Sequence, residues 1–341
     1  MSIPIPSSSP AAALVDGFDR RIEYLRVSVT DRCNYRCTYC MGEDAVFLPK
    51  RDLLSLEEID RLASAFVACG VRRLRLTGGE PLARRGVVEL AKSLARHIDA
   101  GALDEITLTT NGSLLPLHAE GLAEAGVRRV NVSLDTLDPA VFAEVSRGGR
   151  LADVIAGLDA ARAAGLAVRL NAVVMAGVND GRIDDLMRFA HGRGIGLALI
   201  EAMPIGRTDT EPSRRYVPLS RVREDLERRW TLTDLPDRTH GPARYVRVEE
   251  TGGRLGFITP MSHGFCADCN RVRVAADGRL TLCLGRDGGV DLKSVLRGSE
   301  SDEPLKAAIV AAIARKPRRH AFDASRPDLG GVDRTRWGTG G

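Results

Sequence analysis

Residues 29–43 read VTDRCNYRCTYCMGE and place Cys33, Cys37 and Cys40 inside eight residues. They follow a β-rich run, YLRVSVT, so the thiols fall in the loop after a first strand. A flat doubly wound sheet would carry a glycine-rich phosphate turn at that place instead. Three sulfurs are one short of a tetrahedral zinc site or of a fully ligated iron–sulfur cluster. One reading is a cubane [4Fe–4S] cluster whose fourth iron is left open for a small chelating molecule. A zinc loop completed by a remote His or Cys is the plainer alternative. A redox pair of Cys37 and Cys40 would leave Cys33 without a task.

From residue 24 to about residue 203 a rhythm of β-rich run, loop and amphipathic helix recurs. The runs are YLRVSVT, RLRLTG, EITLTT, RVNVSL, VRLNAVVM and LALIEAM. The helix LEEIDRLASAFVACG is expected to start at a capping box of Ser55 with Glu58 and to stop at Gly70. Cys69 reads as a buried residue of its interior. Six such units predict a parallel sheet with right-handed crossovers, curved into a partial (β/α)6 TIM-like barrel. After Met203 the rhythm breaks, and β-like runs ARYVRVEE, RLGFI and RVRVAADGRLTLC follow. The expected division is a flexible tail at 1–20, a barrel at 21–235 and a C-terminal α+β domain at 236–341.

Hydrophobic residues make up 44% and charged residues 28%, as in a soluble globular protein, and the net charge of +4 is too mild for a nucleic-acid surface. No run of about 18 apolar residues suggests a membrane span, and the start lacks a basic leader with an apolar core. A cytoplasmic location is therefore expected. There the seven cysteines point to metal or redox chemistry rather than disulfides.

GFCADCNRVRV followed by LTLC supplies a second triplet, Cys266, Cys269 and Cys283. Zinc with a distant fourth ligand such as His263 is again the plain alternative. LTGGEP follows the second strand, where Gly78 and Gly79 let backbone approach a ligand and Glu80 could take an ammonium group. TTNG and VSLD end the third and fourth strands on the same rim.

The C-x3-C-x2-C spacing, with Tyr39 before the last cysteine, resembles the radical S-adenosylmethionine (SAM) superfamily. With LRLTGGEPL, TTNG, NVSLD, FCADCNRVRV and the terminal Gly-Gly, nearly the whole chain resembles the GTP 3′,8-cyclases of molybdenum-cofactor biosynthesis. The resemblance implies a [4Fe–4S] cluster on Cys33, Cys37 and Cys40, and a second on Cys266, Cys269 and Cys283 whose open iron takes the guanine base. It gives Tyr39, Gly79, Ser133 and Met203 to SAM. It gives Arg26, Arg75, Thr109, Arg169, Arg271, Val272 and Arg273 to GTP, with Arg271, Arg273 and the terminal Gly340 and Gly341 required for the reaction. Arginine forks suit a triphosphate, although any one of these arginines alone reads as a solvated strand residue, and a terminal Gly-Gly reads as a frayed tail.

Two positions depart from the family pattern: Arg169 stands where lysine is common, and Ala198 where an arginine often is, with Arg207 a candidate substitute. The implied reaction begins with a 5′-deoxyadenosyl radical that takes the ribose 3′-hydrogen. The C3′ radical then attacks C8 of guanine. The implied partners are GTP, a low-potential electron donor and a downstream cyclic pyranopterin monophosphate synthase, with a monomer or homodimer left open. Two rivals stand beside this reading. A peptide-modifying radical maturase would carry more C-terminal cysteines. A non-catalytic metal carrier would not need the Gly-Gly-Glu loop.

Overall fold

The computed structural model describes residues 13–42, 44–205, 215–236 and 241–322. Six parallel neighbours form its centre: β1 (Tyr24–Ser28), β2 (Arg73–Thr77), β3 (Glu105–Thr110), β4 (Arg129–Ser133), β5 (Ala167–Val174) and β6 (Gly196–Glu201). The crossovers are α1 (Leu56–Ala68), α2 (Val87–Asp99), α3 (Leu115–Glu124), the pair α4 (Pro139–Ser146) and α5 (Leu151–Ala163), and α6 (Ile183–His191). The capping box at α1 is present: Glu58 N donates to Ser55 Oγ at 3.1 Å, and Ser55 N to the Glu58 carboxylate at 2.8 Å. Cys69 closes that helix as its C-cap rather than lying inside it, and its side chain is buried.

The later chain returns to the same sheet. It adds α7 (Leu219–Glu227), β7 (Leu232–Asp234), β8 (Arg244–Val248), β9 (Gly253–Ile258), β10 (Arg271–Val274), β11 (Arg279–Thr281), β12 (Val290–Asp291), α8 (Leu292–Arg297) and α9 (Glu303–Ile313). β10 pairs parallel with β1, and β9 pairs parallel with β6. The twelve-stranded order is β12-β11-β10-β1-β2-β3-β4-β5-β6-β9-β8-β7. An open six-stranded array would leave unpaired backbone donors and acceptors on β1 and β6, and the C-terminal strands satisfy both edges.

Period-two alternation splits the strands' side chains. Leu25, Val27, Leu74, Leu76, Ile106, Leu108, Val130 and Val132 are fully buried in the core with the helices. The opposite face carries Arg26, Arg75, Asn131, Arg169 and Ala198, which line a cavity. Closed barrels fill that interior with branched apolar layers. Guanidinium groups cannot be packed dry, so here the concave side stays open to a ligand.

Residues 14–20 differ from the expected flexible tail. Leu14 is buried, and Arg20 Nε meets Asp16 Oδ2 at 2.6 Å with both side chains buried. The guanidinium then donates to the carbonyls of Cys266 at 2.6 Å, Pro317 at 2.7 Å and Arg318 at 2.9 Å. The segment straps the second cysteine loop to the end of the chain's last described helix. No helix among the described residues is long and apolar enough to cross a membrane.

Candidate active site

Both cysteine triplets border one cavity of about 320 Å³. The first loop is fixed by backbone. Cys40 N and Met41 N both donate to Cys37 O at 2.9 Å, and Thr38 N donates to Val145 O at 2.9 Å. Tyr35 N approaches Cys33 Sγ at 3.4 Å and Asn111 Nδ2 at 3.9 Å, N–H donors of the kind that tune cluster sulfurs. Burial pushes the Cys33 thiol up to about 12, with Glu80 and Cys40 adding to it. Burial, then Cys40 and Asp135, drive Cys37 well up. The Tyr39 hydroxyl shares a hydrogen bond with Asp135, whose carboxyl burial raises to about 6.

The Gly-Gly-Glu loop acts otherwise than expected. A Cβ on Gly78 would lie 2.4 Å from Thr30 O, and one on Gly79 2.3 Å from Arg32 O. The glycines thus seat the cysteine loop's backbone against β2 while still lining the cavity. Glu80 is not available to an ammonium group from the cavity. Its buried carboxylate accepts from Thr110 Oγ1 at 2.8 Å, Asn111 N at 2.7 Å and Leu82 N at 3.0 Å, and burial raises it to about 7. It ties the ends of β2 and β3 together behind the site.

Around the second triplet the surroundings are cationic. Lys316, only 3% exposed, donates to Leu282 O at 2.6 Å and Arg271 O at 3.1 Å. Burial alone would raise the Cys269 thiol, but Lys316 and then Arg271 outweigh it and bring it to about 7. All seven cysteines are free thiols. Among the described residues no group of three or more His, Cys, Asp and Glu closes on a single metal-ion position, and His263 does not border the cavity.

Between the triplets lies a row of arginines. Strand register puts Arg273, Arg26 and Arg75 side by side on β10, β1 and β2. Burial, then Arg273 and Arg75, hold Arg26 well below its ordinary value, and burial with Arg271 brings Arg273 to about 10. Such a cluster of like charges is relieved by an anion. Arg75 is aimed by Thr107 Oγ1 at 3.2 Å and, with the Asn131 amide oxygen turned toward it, by bonds of 2.8 and 3.1 Å. Thr109 Oγ1, Arg273 Nε and Tyr245 Oη are buried without hydrogen-bond partners in the protein, a capacity that a ligand can use.

At Ala198 the place of an arginine is taken by an aromatic. Gly256 faces Ala198 across β6 and β9, and a Cβ on Gly256 would lie 2.8 Å from Tyr245 Cε1. Tyr245 therefore fills this part of the wall, with Arg169 at 5.2 Å and Arg254 at 4.9 Å from its ring centre. Ser133, Met203 and Arg271 also reach the cavity. Val272 does not: its side chain is fully buried in the core, as alternation along β10 requires. Gly340, Gly341 and Arg207 lie outside the described residues. Lys316, Tyr245 and Arg20 escape a sequence reading because no motif or spacing sets them apart. Asn111, inside TTNG, was in reach.

Residues 27–190 match the model of the radical SAM superfamily, and residues 195–322 that of Molybdenum Cofactor Synthesis C. The chain is 57% identical over 321 residues to the GTP 3′,8-cyclase of Rhizobium etli, covering 94% of this chain and 92% of that one. It is 58% identical over 313 residues to that of Mesorhizobium japonicum, covering 92% and 95%. Among solved structures, Streptococcus suis SuiB bound to S-adenosylmethionine gives a TM-score of 0.58 at 17% identity, over 85% of this chain and 68% of that one, a likeness of fold alone. Two matched regions in sequence, and relatives this similar over almost their whole length, make the chain a member of the GTP 3′,8-cyclase family of radical SAM proteins.

Proposed function

We propose that this cavity cyclises GTP to 3′,8-cyclo-7,8-dihydro-GTP, the first step toward molybdenum cofactor. The observation that carries this reading is the arrangement itself: two groups of three thiols face one cavity, with buried guanidinium groups between them. Cys33, Cys37 and Cys40 would hold one [4Fe–4S] cluster, and Cys266, Cys269 and Cys283 the other. When bound, the first cluster and SAM supply a 5′-deoxyadenosyl radical by one-electron cleavage. Tyr39, Gly79, Ser133 and Met203 line the SAM side. Arg26, Arg75, Arg169, Arg271 and Arg273 grip the triphosphate, and the Thr109 hydroxyl completes their contacts. Holding one molecule at its base and its phosphates brings C3′ and C8 into reach of each other.

A low-potential one-electron donor, a reducing cytoplasm and a monomer or homodimer complete the proposal. Gly340 and Gly341 belong to the same reaction, and deleting both is expected to stop cyclisation. The decisive experiment is anaerobic reconstitution, with metal analysis and incubation with GTP, SAM and dithionite. About eight irons per chain, together with 5′-deoxyadenosine and a cyclised nucleotide, are expected. Two zincs and no nucleoside product would overturn it.

A further inference from the structure

Lys316 stands out because the reaction assigned above gives it no role, yet it is nearly inaccessible to water. Burying an ammonium group carries a heavy desolvation cost unless it is paired and hydrogen-bonded. The pairing here is specific. The side chain lies just beyond α9, which Leu305, Ile309, Ala312 and Ile313 anchor in the core. Lys316 N donates to Ile313 O at 2.9 Å, which fixes the base of the side chain. Two of the three ammonium protons go to Leu282 O and Arg271 O. Both carbonyls flank the cysteines: Leu282 precedes Cys283, and Arg271 follows Cys269 by two residues. Cys269 Sγ lies 4.0 Å from the same Arg271 carbonyl. Lys316 borders the cavity together with Cys269 and Cys283.

We propose that Lys316 is the fixed counter-charge of the second cluster, a positioning residue that raises the potential at which this cluster accepts an electron. Three thiolates on a cubane core leave a net negative charge, which grows by one when the cluster is reduced. A positive charge held in a low-dielectric pocket stabilises the reduced state more than the oxidised one. The first triplet has a mixed setting: Glu80 and Asp135 act on its thiols, while the half-buried Arg36 donates to Cys33 O at 2.6 Å. Two hydrogen bonds to carbonyls hold Lys316 where neither substrate nor solvent can displace it.

The inference rests on the two-cluster reading, and the test separates the failure of one from that of the other. In full-length protein carrying Cys33→Ala, Cys37→Ala and Cys40→Ala, only the second cluster should assemble. Its midpoint potential is then read by spectroscopic titration under anaerobic conditions. If no cluster assembles with Lys316 intact, the two-cluster reading fails. If one does, Lys316→Gln keeps donors for the two carbonyls but removes the charge. The expected result is at least a tenfold loss in the reduction equilibrium, about 59 mV more negative for one electron, with Lys316→Arg close to the parent. Assembly that fails in Lys316→Gln and is rescued in Lys316→Arg also supports the counter-charge. An unshifted potential in Lys316→Gln overturns it, and so does equal failure of both variants, which would mark Lys316 as a packing residue only.

Discussion

Around Cys33 and Cys37 the acids Glu80 and Asp135 act on the thiols while Arg36 donates to the Cys33 carbonyl at 2.6 Å, whereas around Cys269 the leading charged side chains are the cations Lys316 and Arg271. The triplets match in number and face one cavity, so spacing alone cannot say which ligand goes where. In the proposed reading, charge does. SAM, whose sulfonium and ammonium outnumber its carboxylate, goes to the end where Asp135 borders the cavity. GTP brings phosphates, which suit the arginine-lined end that Arg26, Arg75 and Arg273 build toward the second triplet. The proposed division of labour follows the charges beside the cysteines.

The strongest way to break this division is to remove one thiol at a time. Cys37→Ala and Cys269→Ala should each lose about half of the iron. Only Cys37→Ala should abolish SAM cleavage. Cys269→Ala should still release 5′-deoxyadenosine, without cyclised nucleotide. Chromatography of both products checks this, and equal loss of 5′-deoxyadenosine in the two variants would collapse the comparison.

Next in size come the arginines. Hydrogen bonds to charged groups are worth about 1.5–3 kcal/mol, so Arg26→Met or Arg273→Met should weaken GTP binding by roughly 10–100-fold. Lysine at either place should recover part of it, because charge returns without the fork. Titration calorimetry should show SAM affinity unchanged. A matching loss for SAM would mean that these residues serve the fold and not one end of the cavity.

A smaller effect is expected at the wall where Ala198 stands. Gly256→Ala puts a methyl group 2.8 Å from Tyr245 Cε1, so the ring must shift away from Arg169 and Arg254. Exposed cation–π contacts are worth about 0.5–1 kcal/mol, which predicts a roughly two- to fivefold rise in KM for GTP. An unchanged KM would remove the Tyr245 wall from the phosphate end.

The central fold was legible because period-two and helical patterns act locally, and both cysteine motifs lie in short contiguous runs. Alternation along β10 was legible as well, and it would have turned Val272 into the core. Other features depend on contacts far apart in sequence. Arg20 meets the carbonyl of Cys266 across 246 residues, and Lys316 meets that of Arg271 across 45. The return of β9 and β10 to the two open edges is likewise a demand of edge pairing, which no local pattern announces. Glu80 misled for a related reason: an acid beside Gly-Gly at a strand end looks like a ligand group until Thr110 and Asn111 are seen to claim it.

Glu80 supplies the mildest test, because it probes the acidic wall behind the first triplet without touching the cavity. Burial raises its folded value to about 7 from an ordinary 4.5. The native state therefore keeps this proton to higher pH than the unfolded chain does. The stability it contributes is present in full below about 4.5 and is lost as pH rises through about 7, with a slope of at most ~1.4 kcal/mol per unit. Glu80→Gln cannot titrate, so its thermal midpoint between pH 5 and 8 should fall less steeply than that of the parent. Asp135 is raised in both proteins and cancels in the difference. The amide also turns an NH2 toward groups that donate, a cost of about 1–3 kcal/mol that should lower the midpoint at every pH. Identical slopes would mean that the folded value is not raised and that Glu80 stays ionised across this window, a full negative charge behind the first triplet.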